Sequence, residues 1–497
     1  MKHSIVRRRH ARLTPLAKLT VAPLPAASRA FRSTDLGQIA ATATIGGQTR
    51  AVLLTPSGSM SWLGSGAGGS FADSANWELG FAPSPFLDAV IAPTGAQTIY
   101  AGTDATVKSL SIGGAAGSSG RPSLVLQYGA NLAAADGVTI QATGLLTGDG
   151  TVRGNLVNLG TLQAGNLTVS GTFSNAGLVN GNGYLNANLD NTAAGQVRSG
   201  AGEYLRVTGT MTGAAHSNAG SMEVAAGATQ EFSGAFGNSG QITINGAVAR
   251  YNGAFTNASA GRIFLQNGDV HFGAGVVNSG QISTSFGSSN VFGAVTTGSG
   301  GKIILSGNSS TTFYDTLEVQ SGGELRVSTG STAVFFGPVL QRSGSLFSGS
   351  GSKFYEGGLS IGASPGLGID AGSVSFGVGN PYLEEIGGLA AGTAFDKYEV
   401  AGNLAFGGTL KVVWWGGFTG QAGQRFDLFD WGSSSGTFSA IDFSAAPLAS
   451  GLGWDTSQLY ATGEIAIAAV PEPGTCALTL FGLGGLGLAA RRRGRTP

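Results

Sequence analysis

The chain has 497 residues, of which 86 are glycine and only 11% are charged. Its 27 basic and 27 acidic side chains balance, so net charge gives no indication of a nucleic-acid partner. The glycines follow no three-residue period, which excludes collagen. The single cysteine, Cys476, excludes an intrachain disulfide, and away from the N-terminus the only histidines are His216 and His271. We therefore expect no metal and no cofactor.

Residues 1–60 form an atypical N-terminal segment. The first twelve residues are basic, but the stretch LTPLAKLTVAPLPAAS that follows is interrupted by Lys18 and three prolines, which makes a poor signal-peptide core. The stretch DLGQIAATATIGGQTRAVLLTP, residues 35–56, is similar to the end of an extracellular repeat called HAF. We expect that residue 1 is not the natural start, or that this segment is a fused fragment.

Residues 61–130 are predicted to form an N-terminal cap and the first turns of a coil. Trp62 and Trp77 lie in this region, and the next tryptophan is Trp414. Large side chains at the start of a coil of strands close its exposed edge.

Residues 131–365 repeat with a period near twenty. Short apolar segments such as QITI, RIFL and KIIL alternate with turns rich in glycine, serine and asparagine. An aromatic residue recurs at spacings of 19 to 22 residues, at Phe232, Tyr251, Phe272, Phe292, Tyr314, Phe336 and Tyr355. Asparagine recurs in the turns, at Asn158, Asn175, Asn238, Asn257 and Asn278.

This pattern predicts an all-β fold, a parallel β-helix with turns of about twenty residues, stacked about 4.8 Å apart. We expect the aromatic residues to stack in the core rather than to bind a ligand. The asparagines are expected to form a second ladder at a corner, where asparagine tolerates left-handed backbone. No proline occurs between Pro122 and Pro338, as expected for continuous strand pairing.

Residues 366–468 have longer alternating strands and are predicted to form an all-β C-terminal cap. Trp414, Trp415 and Trp431 lie in these strands, and Trp454 follows. An independent β-sandwich is the alternative.

Residues 469–497 end in an apolar run and a basic cluster. The run at 474–490 contains G-x-G-x-x-G at 482–487, but only ten residues follow, so no nucleotide-binding βαβ unit fits. As a helix the run would be about 25 Å long, near the lower limit for a bilayer span. The alternative is a buried strand or helix. The positive-inside rule would hold the basic cluster in the cytoplasm, and its members are Arg491, Arg492, Arg493 and Arg495.

Two prolines keep the stretch before the apolar run extended and outside a helix. That stretch is Val470, Pro471, Glu472 and Pro473. Motif, apolar run and arginine cluster together resemble the PEP-CTERM sorting signal of Gram-negative bacteria. The resemblance implies export, a precursor anchored in the inner membrane by the transmembrane helix, cleavage by an exosortase-type membrane protease, and transfer to the cell surface or beyond.

Two further segments are similar to autotransporter passenger domains and to other proteins with this sorting signal. FADSANWELGFAPSPFLDAVI is similar to their opening, and the segment from FDKYEVAGNLAFGGTLKVV to LGWDTSQLYATGEIAI to their closing part.

The β-helix fold also occurs in polysaccharide lyases and glycosidases, so an enzymatic function is the competing interpretation. Such sites need carboxylates gathered on one face or acidic ligands for calcium, and the repeat does not keep acids in neighbouring turns. Asp269 and His271 are predicted to share a strand face as a solvated pair, and Glu384 and Glu385 to point to opposite faces. The scattered acids include Asp190, Glu203, Glu223, Glu231, Asp315, Glu318, Glu324 and Glu356.

The sequence thus favours a non-enzymatic surface or matrix protein with a role in adhesion or biofilm structure. Its expected partners are the exosortase-type protease, the membrane before processing and extracellular polysaccharide, with no nucleic acid. A carbohydrate-active β-helix enzyme is the alternative.

Overall fold

The computed structural model describes residues 29–34, 36–209, 215–362 and 364–470. Within them nearly all regular structure is β-strand, and helix is confined to a 3-10 turn, Ser74–Asn76, and an α-helical turn, Leu459–Thr462. Neither has the length or apolar character needed to cross a membrane. The predicted transmembrane helix at 474–490 lies outside the described residues. The chain divides into two compact units, up to residue 254 and from residue 255.

Each unit is a parallel β-solenoid with three strands in most turns, so the predicted parallel β-helix is confirmed. A strand pairs in parallel with the equivalent strand of the next turn; Val295–Thr297, for example, pairs with Leu317–Val319. Three columns of stacked strands result. We name them first, second and third by their order within one turn, as in Lys302–Ser306, Ser310–Phe313 and Leu317–Val319.

In the first unit, two long strands, Thr161–Asn175 and Leu178–Asn191, run through all three columns. The other strands of its first column are Gly68–Ser70, Ala96–Ala101, Arg121–Leu126, Leu145–Gly148, Gln196–Ser199, Ser221–Val224 and Gln241–Asn245. Those of its second column are Ala105–Val107, Asn131–Ala134, Thr151–Arg153, Tyr204–Thr208, Thr229–Ser233 and Val248–Tyr251. Those of its third column are Ser59–Ser61, Asp88–Ile91, Ser109–Ile112, Val138–Ile140, Leu156–Asn158, Ala215–Asn218 and Ala235–Asn238.

In the second unit, Lys397–Phe406 pairs with strands of both the first and the second column, and Phe429–Gly436 pairs with it in turn. The other first-column strands are Arg262–Gln266, Gln281–Ser285, Lys302–Ser306, Glu324–Val327, Leu346–Ser348 and Leu367–Asp370. The second-column strands are Asp269–Phe272, Ser288–Phe292, Ser310–Phe313, Thr332–Phe335, Ser352–Tyr355 and Ser373–Phe376. The third-column strands are Phe255–Asn257, Val276–Asn278, Val295–Thr297, Leu317–Val319, Val339–Gln341, Leu359–Ile361, Pro381–Ile386, Thr409–Trp414 and Ala440–Ala445.

Six strands pair antiparallel, near the two ends of the described chain. Arg29–Ser33, Ile39–Ile45 and Gln48–Leu54 form one three-stranded sheet. Arg425–Asp427, Leu452–Asp455 and Glu464–Ala469 form the other. Residues 366–468, predicted as a cap, therefore hold both parallel strands of the columns and an antiparallel sheet.

The two early tryptophans are buried against each other. Trp62 and Trp77 meet edge to face with ring centroids 5.3 Å apart. Each indole N–H is satisfied, since Trp62 Nε1 donates to Gln97 Oε1 and Trp77 Nε1 to the carbonyl oxygen of Phe71.

Inward aromatic rings stack from turn to turn, but not all the predicted ones are inward. Phe232 stacks on Tyr251 in the first unit, and Phe335 on Tyr355 in the second. The prediction of a core position is wrong for Phe292, Tyr314 and Phe336, which point outward. The reason is a shift of one residue: His271, not Phe272, pairs with Phe292. Because side chains alternate along a strand, such a shift exchanges inside for outside.

The predicted asparagine ladder is confirmed within each unit. In the first unit the side-chain Nδ2 of Asn175 donates to Asn191 Oδ1 at 2.7 Å, and in the second Asn257 donates to Asn278 at 2.8 Å. The buried members are Asn158, Asn175, Asn191, Asn218, Asn238, Asn257 and Asn278. None has the left-handed backbone that we expected. They recur because each amide group bonds the next turn.

Glycine follows these asparagines because successive turns come very close there. A Cβ on Gly177 would lie 2.3 Å from the carbonyl oxygen of Gly160, and one on Gly240 would lie 2.1 Å from that of Gly220. No other residue fits this corner without moving the backbone.

Candidate functional site: an outer aromatic stripe and the sorting tail

Four outward rings stack along the second column of the second unit. Strand register aligns His271, Phe292, Tyr314 and Phe336, which we call the aromatic stripe. Their ring centroids are 4.3, 4.4 and 5.6 Å apart, with interplanar angles of 9, 6 and 22°. The parallel pairing of the strands sets this arrangement, since it places equivalent side chains directly above one another.

The stripe is open to solvent towards its later turns. Tyr314 is 40% exposed and Phe336 is 53% exposed, while His271 and Phe292 are half-buried. The neighbouring outward row adds Phe354, 38% exposed, whose strand partner is Val334. Exposed apolar surface of this kind, bordered by polar residues, is typical of binding sites.

For Phe292 and Tyr314 the stacking leaves ring edges, rather than ring faces, in contact with solvent. An aromatic ring is partially positive at its edge and negative on its face. The faces of Phe292 and Tyr314 are covered by their neighbours in the stack. The stripe therefore presents a row of weakly positive edges, which suits a partner rich in oxygen.

The side chains around the stripe are hydroxyls, amides and acids. Asn290 Nδ2 donates to Asp269 Oδ1 at 2.8 Å, and Asp315 accepts a hydrogen bond from the backbone N–H of Gly293. Among the six second-column strands from Asp269–Phe272 to Ser373–Phe376, the one lysine or arginine is Lys353, and it faces inward. The ionised side chains bordering the stripe are thus acidic, which disfavours a polyanionic partner.

The acids considered as catalytic candidates are placed largely as expected. Asp269 and His271 share an outward face, and the His271 ring stacks on Phe292. Glu384 points inward and Glu385 outward, so the prediction of opposite faces is confirmed.

Outward carboxylates elsewhere pair with basic side chains of adjacent turns. Four pairs have nitrogen–oxygen distances of 2.8 to 3.5 Å: Arg198–Glu223, Arg206–Glu231, Lys302–Glu324 and Arg342–Glu318. In the described ranges, no three histidine, cysteine or acidic residues are grouped in a way that would hold a metal.

The first unit has an open groove of about 720 Å³ beside His216. The imidazole Nδ1 accepts a hydrogen bond from the Leu189 N–H, and Nε2 donates to the carbonyl oxygen of Ser233 at 2.7 Å. Burial lowers the pKa of His216. With both ring nitrogens engaged by backbone, this histidine is not placed to act as a general base. Asp190 in the same groove accepts from the Ser217 hydroxyl.

Charged groups also lie inside the second unit. Lys353 and Asp370 are fully buried, and Lys353 Nζ lies 2.8 Å from Asp370 Oδ1. Glu384 is buried too, and neither of its carboxyl oxygens has a hydrogen-bond partner in the described chain. Burial, and then the neighbouring Asp396 carboxyl, hold the pKa of Glu384 well above its usual range. Burial also raises the pKa of Asp396 to about 8, although Asp396 accepts backbone hydrogen bonds from Gly366 and Glu385.

The predicted sorting motif begins at the last described residue. Val470 follows the strand Glu464–Ala469, is 53% exposed, and donates its backbone N–H to the carbonyl oxygen of Gly451 at 2.8 Å. Pro471, Glu472, Pro473 and the arginine cluster lie outside the described residues.

Comparison with protein families identifies this end of the chain. Residues 469–493 match the PEP-CTERM protein-sorting motif. The chain carries a PEP-CTERM sorting signal. A PEP-CTERM tail indicates an exported protein, made as a membrane-anchored precursor and processed by exosortase, a membrane protease. No curated protein matches the chain.

The aromatic stripe was missed from the sequence, although a signal was present. Adjacent aromatic pairs occur at 313–314, 335–336 and 354–355. Two neighbours on a strand point to opposite sides, so each pair places one ring inside and one outside. Val270 and Val291 are strand partners and lie twenty-one residues apart, so counting the repeat from these inward valines would have given the correct pairing of the strands.

Proposed function

We propose that the protein is a non-enzymatic component of the cell surface or extracellular matrix, which binds neutral polysaccharide through the aromatic stripe and serves in adhesion or biofilm structure. Its sorting signal takes it to a compartment where such polysaccharides occur. The observation that carries the proposal is the exposed stack at Phe292, Tyr314 and Phe336.

The chemistry of the stripe fits a sugar chain. Aromatic side chains offer a large, rigid contact area with little entropy to lose on binding. Their positive edges meet the hydroxyl and ring oxygens of a sugar, while Thr312 and Asn290 offer hydrogen bonds beside them. The linear stack matches a linear ligand, because its binding positions repeat along the axis of the column.

The alternative, a surface-displayed polysaccharide lyase or glycosidase, has less support. Such enzymes need a pair of carboxyl groups held across the scissile bond. The outward carboxylates Glu223, Glu231, Glu318 and Glu324 instead lie against basic side chains, and Asp269 accepts from Asn290.

The test is retention of the full-length protein on two immobilised polysaccharides, a neutral β-glucan and anionic alginate. We expect retention on the neutral polymer and at least tenfold weaker retention after Phe292→Ser, Tyr314→Ser and Phe336→Ser are combined. The control is Tyr128→Ser, which removes an aromatic ring that is 85% exposed in the first unit. Equal binding by the triple variant, or depolymerisation of either polymer, would contradict the proposal.

A further inference from the structure

Lys353 and Asp370 meet in the interior of the second unit, with no exposed side-chain surface on either residue. Lys353 is one of two inward residues of the strand Ser352–Tyr355, and Asp370 ends the first-column strand of the following turn, Leu367–Asp370. Nothing in the sorting signal or the proposed polysaccharide binding requires this pair.

An ion pair is a poor arrangement at such a site. Removing an ammonium and a carboxylate from water costs several kcal/mol for each ion. The attraction between them offsets this cost only when further hydrogen bonds satisfy the remaining donors and acceptors of both groups. An ammonium group has three N–H donors. Within the described part of the chain, Asp370 Oδ1 is the one acceptor in hydrogen-bond reach of Lys353 Nζ.

The carboxyl group of Asp370 has more hydrogen-bond partners than the ammonium group of Lys353. Its Oδ1 also accepts the Gly372 backbone N–H at 2.8 Å, and its Oδ2 accepts from the Tyr398 hydroxyl at 3.4 Å. These donors polarise the carboxyl group and fix its plane. Burial raises the pKa of Asp370 and therefore favours the neutral acid, which is the electrophilic form.

Gly372 leaves room for the amine. A Cβ at this position would lie 2.2 Å from the carbonyl oxygen of Gly351 and 3.2 Å from Lys353 Nζ. The nitrogen is thereby kept beside the carboxyl group, with no side chain between them. Reactive groups held in this way behave as if at very high effective concentration.

We propose that Lys353 and Asp370 condense spontaneously to an intramolecular isopeptide bond. The ammonium group first gives one proton to the Asp370 carboxylate, leaving a neutral amine and a neutral acid. The amine nitrogen attacks Cγ, the bond from Cγ to one carboxyl oxygen breaks, and that oxygen leaves as water with two protons, one from the acid and one from the amine. The product is a neutral amide.

The bond removes two buried charges and joins consecutive turns through the interior. With a single cysteine in the chain, no intrachain disulfide can supply such a link. The cross-link closes a loop between residues 353 and 370, which restricts the unfolded chain as a disulfide does.

The test is the mass of the purified full-length chain, followed by tryptic mapping after denaturation. We expect a mass one water below that of the sequence. Trypsin should fail to cut after Lys353, giving one peptide of residues 343–397 that lacks one water. A full mass, with separate peptides 343–353 and 354–397, would overturn the proposal.

Lys353→Arg is the control variant, because it keeps the charge but removes the amine. We expect this variant to have its full calculated mass. Loss of water in Lys353→Arg would instead indicate a cyclic imide at an aspartate and would overturn the proposal. If the variant does not fold, fragmentation of the wild-type 343–397 peptide decides the question, since it must place the bond between Lys353 and Asp370.

Discussion

The rings of Phe292 and Tyr314 lie parallel on the outer surface of the second unit, with centroids 4.4 Å apart and an interplanar angle of 6°. One residue earlier in each strand, Val291 and Phe313 face the interior. A single step along the chain therefore separates a core side chain from one available for binding.

The pair Phe313 and Tyr314 gives the first prediction. Phe313→Ala should destabilise the protein by about 3–5 kcal/mol, because it opens a cavity beneath Phe335. Tyr314→Ala should lower the free energy of unfolding by about 1 kcal/mol or less, since it loses only stacking at the surface. Urea unfolding followed by circular dichroism measures both. Similar losses for the two variants would show that their orientation is wrong.

The asparagine ladder gives the second prediction. Asn175→Ala removes the acceptor for Asn158 Nδ2 and the donor to Asn191 Oδ1. We expect a loss on the order of 2–6 kcal/mol, at about 1–3 kcal/mol for each of these two buried hydrogen bonds. Asn245→Ala, at an exposed position, is the control and should change stability by less than about 0.5 kcal/mol. Equal effects would rule out the ladder as a source of stability.

The sequence predicted the β-helix and the asparagine ladder because both follow from period and residue type. The sequence analysis placed the wrong ring inside because it counted the repeat from Phe272 to Phe292, which are twenty residues apart, whereas the paired residues His271 and Phe292 are twenty-one apart. The Lys353–Asp370 contact joins strands of different columns in consecutive turns, and no local pattern in the sequence marks it.

The third prediction is a pH dependence that originates at Glu384 and Asp396. Both carboxyl groups have a raised pKa in the folded protein, so the folded state binds their protons more tightly than the unfolded chain. Their contribution to stability is complete below the ordinary carboxyl pKa of about 4. It is lost as the pH rises through the folded pKa, about 8 for Asp396. The urea concentration at the midpoint of unfolding should therefore decrease as the pH is raised from 5 to 9.

Glu384→Met tests the origin of this effect. It removes a carboxyl group that has no hydrogen-bond partner in the described chain and keeps a similar volume. We expect stabilisation by about 1–3 kcal/mol at neutral pH and a weaker decline towards pH 9. A variant that is less stable than the wild type at pH 9 would contradict this assignment.

The fourth prediction concerns the sorting signal. Replacing Pro471, Glu472 and Pro473 together by alanine should prevent cleavage, and the uncut chain should accumulate in the membrane fraction, as immunoblotting would show. Pro447→Ala, at an exposed proline of the described chain, should be processed normally. Normal processing of the triple variant would show that the motif is not required for cleavage.

Disulfide trapping tests the stacking of the turns most directly, in a Cys476→Ser background. Neighbouring strands lie about 4.8 Å apart, within the Cα separation that a disulfide spans, about 4.4–6.8 Å. His271→Cys combined with Phe292→Cys should form a disulfide readily, because these residues are strand partners on the outer face. Phe272→Cys combined with Phe292→Cys should not, since one side chain points inward and the other outward. Trapping of the second pair and not the first would contradict the register on which the aromatic stripe depends.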